Sequence, residues 1–116
     1  WCAAAIHCGG NGTTYQALAA GVPALAVPFT TDQVVNAWLL ARAGAGWPLQ
    51  PATLTGERLR AALHGLLADT AVRRALDRFR TRLAVTDGPA AAAEAILAWR
   101  PASHPPSSRG LAPRCP

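Results

Sequence analysis

Three glycines, Gly9, Gly10 and Gly12, stand between a short apolar run, Ala3 to His7, and a helix-compatible stretch from Thr13 to Ala20. That order, strand then glycine turn then helix, admits few folds, because a strand leading straight into a helix belongs to α/β layering. Gly21 sits where a helix cap belongs, Pro23 forbids continuation, and Ala24 to Val27 reads as a second short buried strand stopped by Pro28. Ala3–His7 and Ala24–Val27 are therefore predicted as neighbouring parallel strands joined by the helix Thr13–Ala20. Asp32 is placed to cap a following helix, Gln33 to Ala43, with Val34, Ala37, Trp38 and Ala41 on its apolar side and Gly44 at its end. Trp47 to Leu49 supplies a third short strand.

From Thr55 onward the pattern is helical throughout. Leu59, Leu63, Leu66 and Leu67 recur at helical spacing, and so do Val72, Leu76, Phe79 and Leu83, with Arg73, Arg74, Arg78, Arg80 and Arg82 largely outward. A third helix begins near Pro89, which suits a first turn, and is expected to bury Ala92, Ile96 and Trp99. After Arg100 the sequence is rich in Pro, Ser and Gly without periodicity, so residues 101–116 are predicted to be disordered.

A length of 116 residues with 51% apolar residues suits one small core. No apolar run approaches the ~20 residues of a membrane-spanning helix, and the opening WCAAAIHCGG lacks the basic region of a signal peptide. No membrane partner is expected, and because a strand-like run begins almost at the first residue, the chain reads as cut from something longer. The net charge of +5 comes from arginines alone, many on faces turned to water, without the interleaved aromatics of a nucleic-acid reader. Cys2, Cys8 and Cys115 form no CxxC pair and no disulfide framework, which favours a reducing cytoplasm and no metal site.

The segment His7-Cys8-Gly9-Gly10-Asn11-Gly12-Thr13-Thr14 suits a phosphate. Glycines let the backbone approach an anion, the first helical turn offers free N–H groups and the positive end of the helix dipole, and Thr13 or Thr14 adds a hydroxyl. It is neither a Walker loop nor a GxGxxG fingerprint, and a glycine turn of this kind also serves simply as a tight turn.

Taken whole, HCGGNGTTYQALAAGVPALAVPFTTDQVVNA resembles the donor-binding signature of family 1 glycosyltransferases. The matching parts are Gly9 to Thr14, Ala20 to Pro23, Val27 to Pro28, Asp32 to Gln33, and Asn36; Gly44-Ala45-Gly46 and the helical tail extend the likeness to about residue 99. The resemblance implies the C-terminal half of a Rossmann-like GT-B donor domain over residues 1–100, with short parallel strands, flanking helices and a C-terminal helical group. It implies that the turn His7 to Thr14 binds the diphosphate of a UDP- or TDP-sugar, that Gln16 binds the ribose, and that Asp32 and Gln33 contact sugar hydroxyls. A carboxylate accepts from two hydroxyls and an amide both donates and accepts, which fits that role; a plain helix cap is the other reading of Asp32. Gln16 stands where the family has a ribose-binding acid, and Cys8 where it has a phosphate-facing His. His7 then corresponds to the first His of a pair, or is a strand-end side chain satisfied by backbone.

The acceptor pocket and catalytic base of such enzymes lie in an N-terminal domain, so no catalytic residue, cofactor or metal is assigned here. The resemblance further implies that the full-length protein transfers a sugar to a hydroxyl acceptor and that this fragment alone is inactive. The alternative is a non-catalytic diphosphate-binding module or accessory subunit. With upstream strands absent, one sheet edge should be unpaired. For the tail, deletion of residues 101–116 is predicted to leave the melting temperature unchanged; a clear drop in a thermal melt would mean that the tail packs on the domain.

Overall fold

The computed structural model describes residues 2–99; the expectations for the tail, residues 101–116, and for Cys115 lie outside the described residues. The elements are β1 (Ala5–His7), α1 (Asn11–Ala20), β2 (Ala24–Ala26), α2 (Thr31–Arg42), β3 (Gly46–Pro48), a 3-10 turn (Pro51–Thr53), α3 (Gly56–Ala68), α4 (Thr70–Ala84) and α5 (Gly88–Ala98). The chain divides between Thr86 and Asp87 into two units.

In the first unit a parallel sheet of order β1-β2-β3 pairs Ala5 with Ala24, Leu25 with Trp47 and Ala26 with Pro48. The expected parallel pairing of the first two strands and the α1 crossover between them are present. Val27 N–H donates to His7 C=O and Leu49 N–H to Ala26 C=O, both at 2.8 Å, carrying the ladder past the strand ends. The third strand lies one residue earlier than its apolar run predicts. Pro48 at its end is tolerated because, among the described residues, β3 is an edge strand with no second ladder to feed. Among the described residues β1 pairs with β2 alone, so the sheet also has an open edge there.

Chain punctuation follows the sequence. Gly21, at φ +68°, closes α1 in a Schellman motif, with Val22 N–H donating to Ala17 C=O (2.9 Å) and Gly21 N–H to Leu18 C=O (3.1 Å). Thr55 caps α3 through Arg58 N–H (3.2 Å), and Asp69 caps α4 through the N–H groups of Ala71 (2.8 Å) and Val72 (3.3 Å). Asp32, by contrast, is not the cap of α2. The helix starts at Thr31, its cap position is Thr30, and Asp32 lies inside the first turn.

Central β2 is sealed, with Leu25 and Ala26 at 0% exposure. Ala17 of α1, Ala37 and Leu40 of α2, Leu66 of α3, and Val72 and Leu76 of α4 complete the core around it. Fully burying side chains such as Leu25, Leu66 and Leu76 contributes about 1.5–3 kcal/mol each. Leu59, Leu63 and Phe79 pack on this core from the faces their spacing predicts, while the α4 arginines are exposed.

Two helices depart from their predicted faces. On α2 the buried residues are Ala37 and Leu40, whereas Val34 and Trp38 are half exposed, at 52% and 54%. Val34, Ala37, Trp38 and Ala41 do share a side, but it overlooks a shallow groove shared with Pro28, Pro48 and Leu49. The helix is apolar around most of its circumference, so periodicity alone does not choose which stripe is sealed. In the second unit α5 is capped by Asp87, which accepts from Ala90 N–H at 3.0 Å, and Pro89 lies in its first turn as expected. Ala92, Ile96 and Trp99, expected inward, are exposed. Its alanine content sustains the helix by propensity without requiring a buried face.

Gly46 marks the tightest packing of the sheet. A Cβ there would overlap the Ala24 carbonyl oxygen and lie 2.8 Å from Leu40 Cδ2. Gly46→Ala is expected to cost about 1–3 kcal/mol through overpacking. Urea unfolding measures the loss, with Gly56→Ala as control, because a Cβ at Gly56 meets nothing within 4 Å.

Candidate functional site

The parallel sheet delivers the starts of α1 and α2 to the same edge, and the sequence-predicted site residues gather there. The turn after β1 is locked at Gly9. This residue is buried with φ +88°, a conformation that glycine adopts without strain, and a Cβ on it would lie 2.9 Å from the Gln33 carbonyl oxygen. Both of its backbone groups are held. Gly9 N–H donates to His7 Nδ1 at 2.9 Å, and Asn36 Nδ2 donates to Gly9 C=O at 2.9 Å across 27 residues of sequence.

α1 begins at Asn11, two residues before its expected start, with Gly10 at the cap position and no side-chain cap. The N–H groups of Asn11, Gly12 and Thr13 therefore have no acceptor among the described residues, and the first turn carries no acidic residue. Asn11, Gly12 and Thr13 are exposed and Gly10 partly so. Such a terminus, with free donors and the positive end of the helix dipole, suits an anion. The two threonines differ. Thr14 Oγ1 donates to Gly10 C=O at 2.8 Å, leaving its oxygen only as an acceptor, whereas the Thr13 hydroxyl makes no hydrogen bond among the described residues. Gln16 is exposed three residues beyond Thr13, on the same side of α1.

Across the turn, the loop into α2 is shaped by its own side chains. Phe29 N–H donates to Gln33 Oε1 at 2.9 Å, which occupies the acceptor end of that amide and leaves its NH2 free. Thr30 Oγ1 donates to Asp32 Oδ1 at 2.5 Å. Together with the N–H groups of Asp32 and Gln33, the Thr30 hydroxyl holds the exposed Asp32 carboxyl below its ordinary 3.8, so it stays an acceptor. Gly9 touches Gln33, so the glycine turn and the Asp32-Gln33 pair lie side by side.

His7 and Cys8 take different positions. Cys8 is an exposed free thiol. His7 is half buried; its Nδ1 accepts from Gly9, which puts the ring proton on Nε2, and that nitrogen is buried with no partner among the described residues. Burial pushes the His7 pKa below 6.5, toward the neutral ring. The contact that sequence reasoning does not assign is Asn36. Its signals are its place in the family signature, after Asp32-Gln33, and its being a lone amide in the apolar stretch from Val34 to Ala41.

Residues 1–99 match the family model described as Erythromycin biosynthesis protein CIII-like, C-terminal domain. The chain is 35% identical over 91 residues to the demethyllactenocin mycarosyltransferase of Streptomyces fradiae, covering 78% of this chain and 20% of that protein. It superposes on the calicheamicin glycosyltransferase CalG4 with a TM-score of 0.74 at 35% identity, over 82% of this chain and 25% of that one. It superposes on the spinosyn rhamnosyltransferase SpnG, solved with thymidine diphosphate, with a TM-score of 0.72 at 31% identity, over 83% and 26%. The chain thus spans about a fifth of the length of the curated relatives it matches.

The lowered His7 pKa has a stability consequence of definite sign. The unfolded chain takes up a proton near pH 6.5 and the folded one only at lower pH, so the contribution is complete above 6.5 and is lost as pH falls through the window beneath it. Melting temperatures from pH 8 to pH 5 should decline below 6.5. The decline should shrink in His7→Asn, whose side-chain carbonyl keeps an acceptor for Gly9 N–H. Equal pH profiles in the two proteins would place the effect elsewhere.

Proposed function

The chain belongs to the Erythromycin biosynthesis protein CIII-like C-terminal domain family and has the fold of that part of GT-B glycosyltransferases, and from this premise we propose that it is the donor-binding part of an enzyme that transfers a sugar from a UDP- or TDP-sugar to a hydroxyl acceptor. The observation that carries this reading is the uncapped start of α1 lying beside Asp32 and Gln33. The diphosphate lies at the glycine turn, His7 to Thr14, with the amides of Asn11, Gly12 and Thr13 as its chief donors. The sugar reaches toward Asp32 and the free NH2 of Gln33, and Gln16 meets the ribose as a neutral partner.

In this arrangement the helix terminus does more than bind. As the bond between sugar and diphosphate breaks, negative charge accumulates on the departing diphosphate, and preorganised amides with a helix dipole stabilise that charge without reorganising. The acceptor site and the base that deprotonates the acceptor belong to the remainder of a longer protein, so this chain alone binds without turning over. Among the described residues no helix is long and apolar enough to cross a membrane, and Cys2 and Cys8 are exposed free thiols. A reducing cytoplasm is the proposed compartment.

Amide NMR of the chain titrated with TDP, UDP and inorganic diphosphate is expected to shift Asn11, Gly12 and Thr13 first, and no shift with any of the three would sink the assignment. Asp32→Ala separates the sugar from the phosphate. It should weaken a TDP- or UDP-sugar roughly tenfold or more, as for a lost charge-assisted hydrogen bond, and leave the bare nucleotide nearly unchanged. Because Asp32 is not the cap of α2, equal weakening of both ligands would point to a structural role and away from sugar contact.

A further inference from the structure

The bond from Asn36 to Gly9 reaches beyond the peptide it touches. A trans peptide is planar, so its C=O and the following N–H point in opposite directions. No peptide among the described residues is cis. Fixing Gly9 C=O toward α2 therefore fixes Gly10 N–H away from α2. That N–H has no acceptor among the described residues. It stands immediately before the three unsatisfied donors of Asn11, Gly12 and Thr13. Glycines on both sides leave this peptide intrinsically free to rotate, so something must hold it. On one side Gly9 N–H is tied to His7 Nδ1, and on the other Gly9 C=O is tied to Asn36 Nδ2, both at 2.9 Å.

We propose that Asn36 is a positioning residue that holds the Gly9–Gly10 peptide in one orientation and so makes Gly10 N–H a fourth amide donor to the diphosphate. The inference rests on the donor-site reading above. The side chain does not touch the ligand. It acts through the peptide, and because it projects from α2 one turn after Asp32 and Gln33, it also sets the glycine turn at a constant distance from the sugar-facing pair. The choice of an amide follows from the geometry. Nδ2 donates to a carbonyl, which an aspartate of the same size cannot do and which it would repel.

The test uses the 116-residue chain, thymidine diphosphate and backbone amide NMR. In the wild type the Gly10 amide should shift together with those of Asn11, Gly12 and Thr13. In Asn36→Ala, Gly10 should leave that group while the other three still respond, with affinity reduced roughly tenfold. Asn36→Asp should behave alike, and it serves as the second variant if the alanine form does not fold. Gly10→Pro then separates positioning from stability. Gly10 has φ −62°, a value proline adopts, and a Cβ there meets nothing within 4 Å, so the substitution removes the N–H without a clash at its Cβ. If Asn36 acts through that N–H, adding Asn36→Ala to Gly10→Pro should cost no further affinity. A full additional loss in the double variant, or a Gly10 amide that responds equally in wild type and Asn36→Ala, would overturn the proposal and leave the donor site standing. Failure of all four amides to respond in the wild type would remove the donor site and this inference together.

Discussion

Parallel pairing on the buried strand β2 is the constraint from which the rest of the first unit follows. Adjacent parallel strands cannot be joined by a tight turn, so each connection must run back along the sheet, here through α1 and then α2. Every strand of such a sheet ends at the same edge, and every following helix starts there. With β2 sealed on both faces and its neighbours only three residues long, the sheet is small enough that the two helix starts lie in direct contact. Gly9 against Gln33 is that contact.

The chemistry gathered at this edge is largely uncharged. Free amides at the start of α1 and an amide nitrogen on Gln33 supply donors, and the Asp32 carboxylate, held below its ordinary pKa, is an acceptor beside them. Under the proposed function, such a set distinguishes the two halves of a sugar diphosphate by direction. In that reading the phosphate end meets donors and a positive dipole, whereas the hydroxyl end meets an acceptor and a donor together. The exposed arginines of α4 lie on a helix that packs against α1.

Fold and family were legible because they rest on punctuation. Gly21 and Gly44 at helix ends, Pro23 and Pro28 bounding β2, and leucines at helical spacing each constrain a local conformation, and local conformations in that order admit one topology. Less legible was which side of an apolar helix is sealed. α2 carries apolar residues nearly all round, and Ala37 with Leu40, not Val34 with Trp38, meets the core. Asp32 looked like a cap because its residue type prefers that place, yet the helix began one residue before it. Thr14 looked like a free donor until its hydroxyl turned back to Gly10, a bond available to any threonine four residues into a helix.

By itself, the sequence determined that a strand, a glycine turn and a helix occur in that order, that the pattern repeats, and which residue types stand at the edge where such units place their ligands. Those properties are set by neighbours along the chain, through steric limits on glycine and proline and the period of apolar residues. Only the tertiary structure decided that Gly9 is clamped between His7 and Asn36, that Gln33 has one end of its amide occupied, and that Asp32 is free of capping. The His7 and Gln33 bonds join near neighbours whose backbone path the packing fixes, whereas the Asn36 bond joins segments 27 residues apart. Local preference cannot encode such a contact, because it exists only once the buried strand has brought both helix starts to one edge.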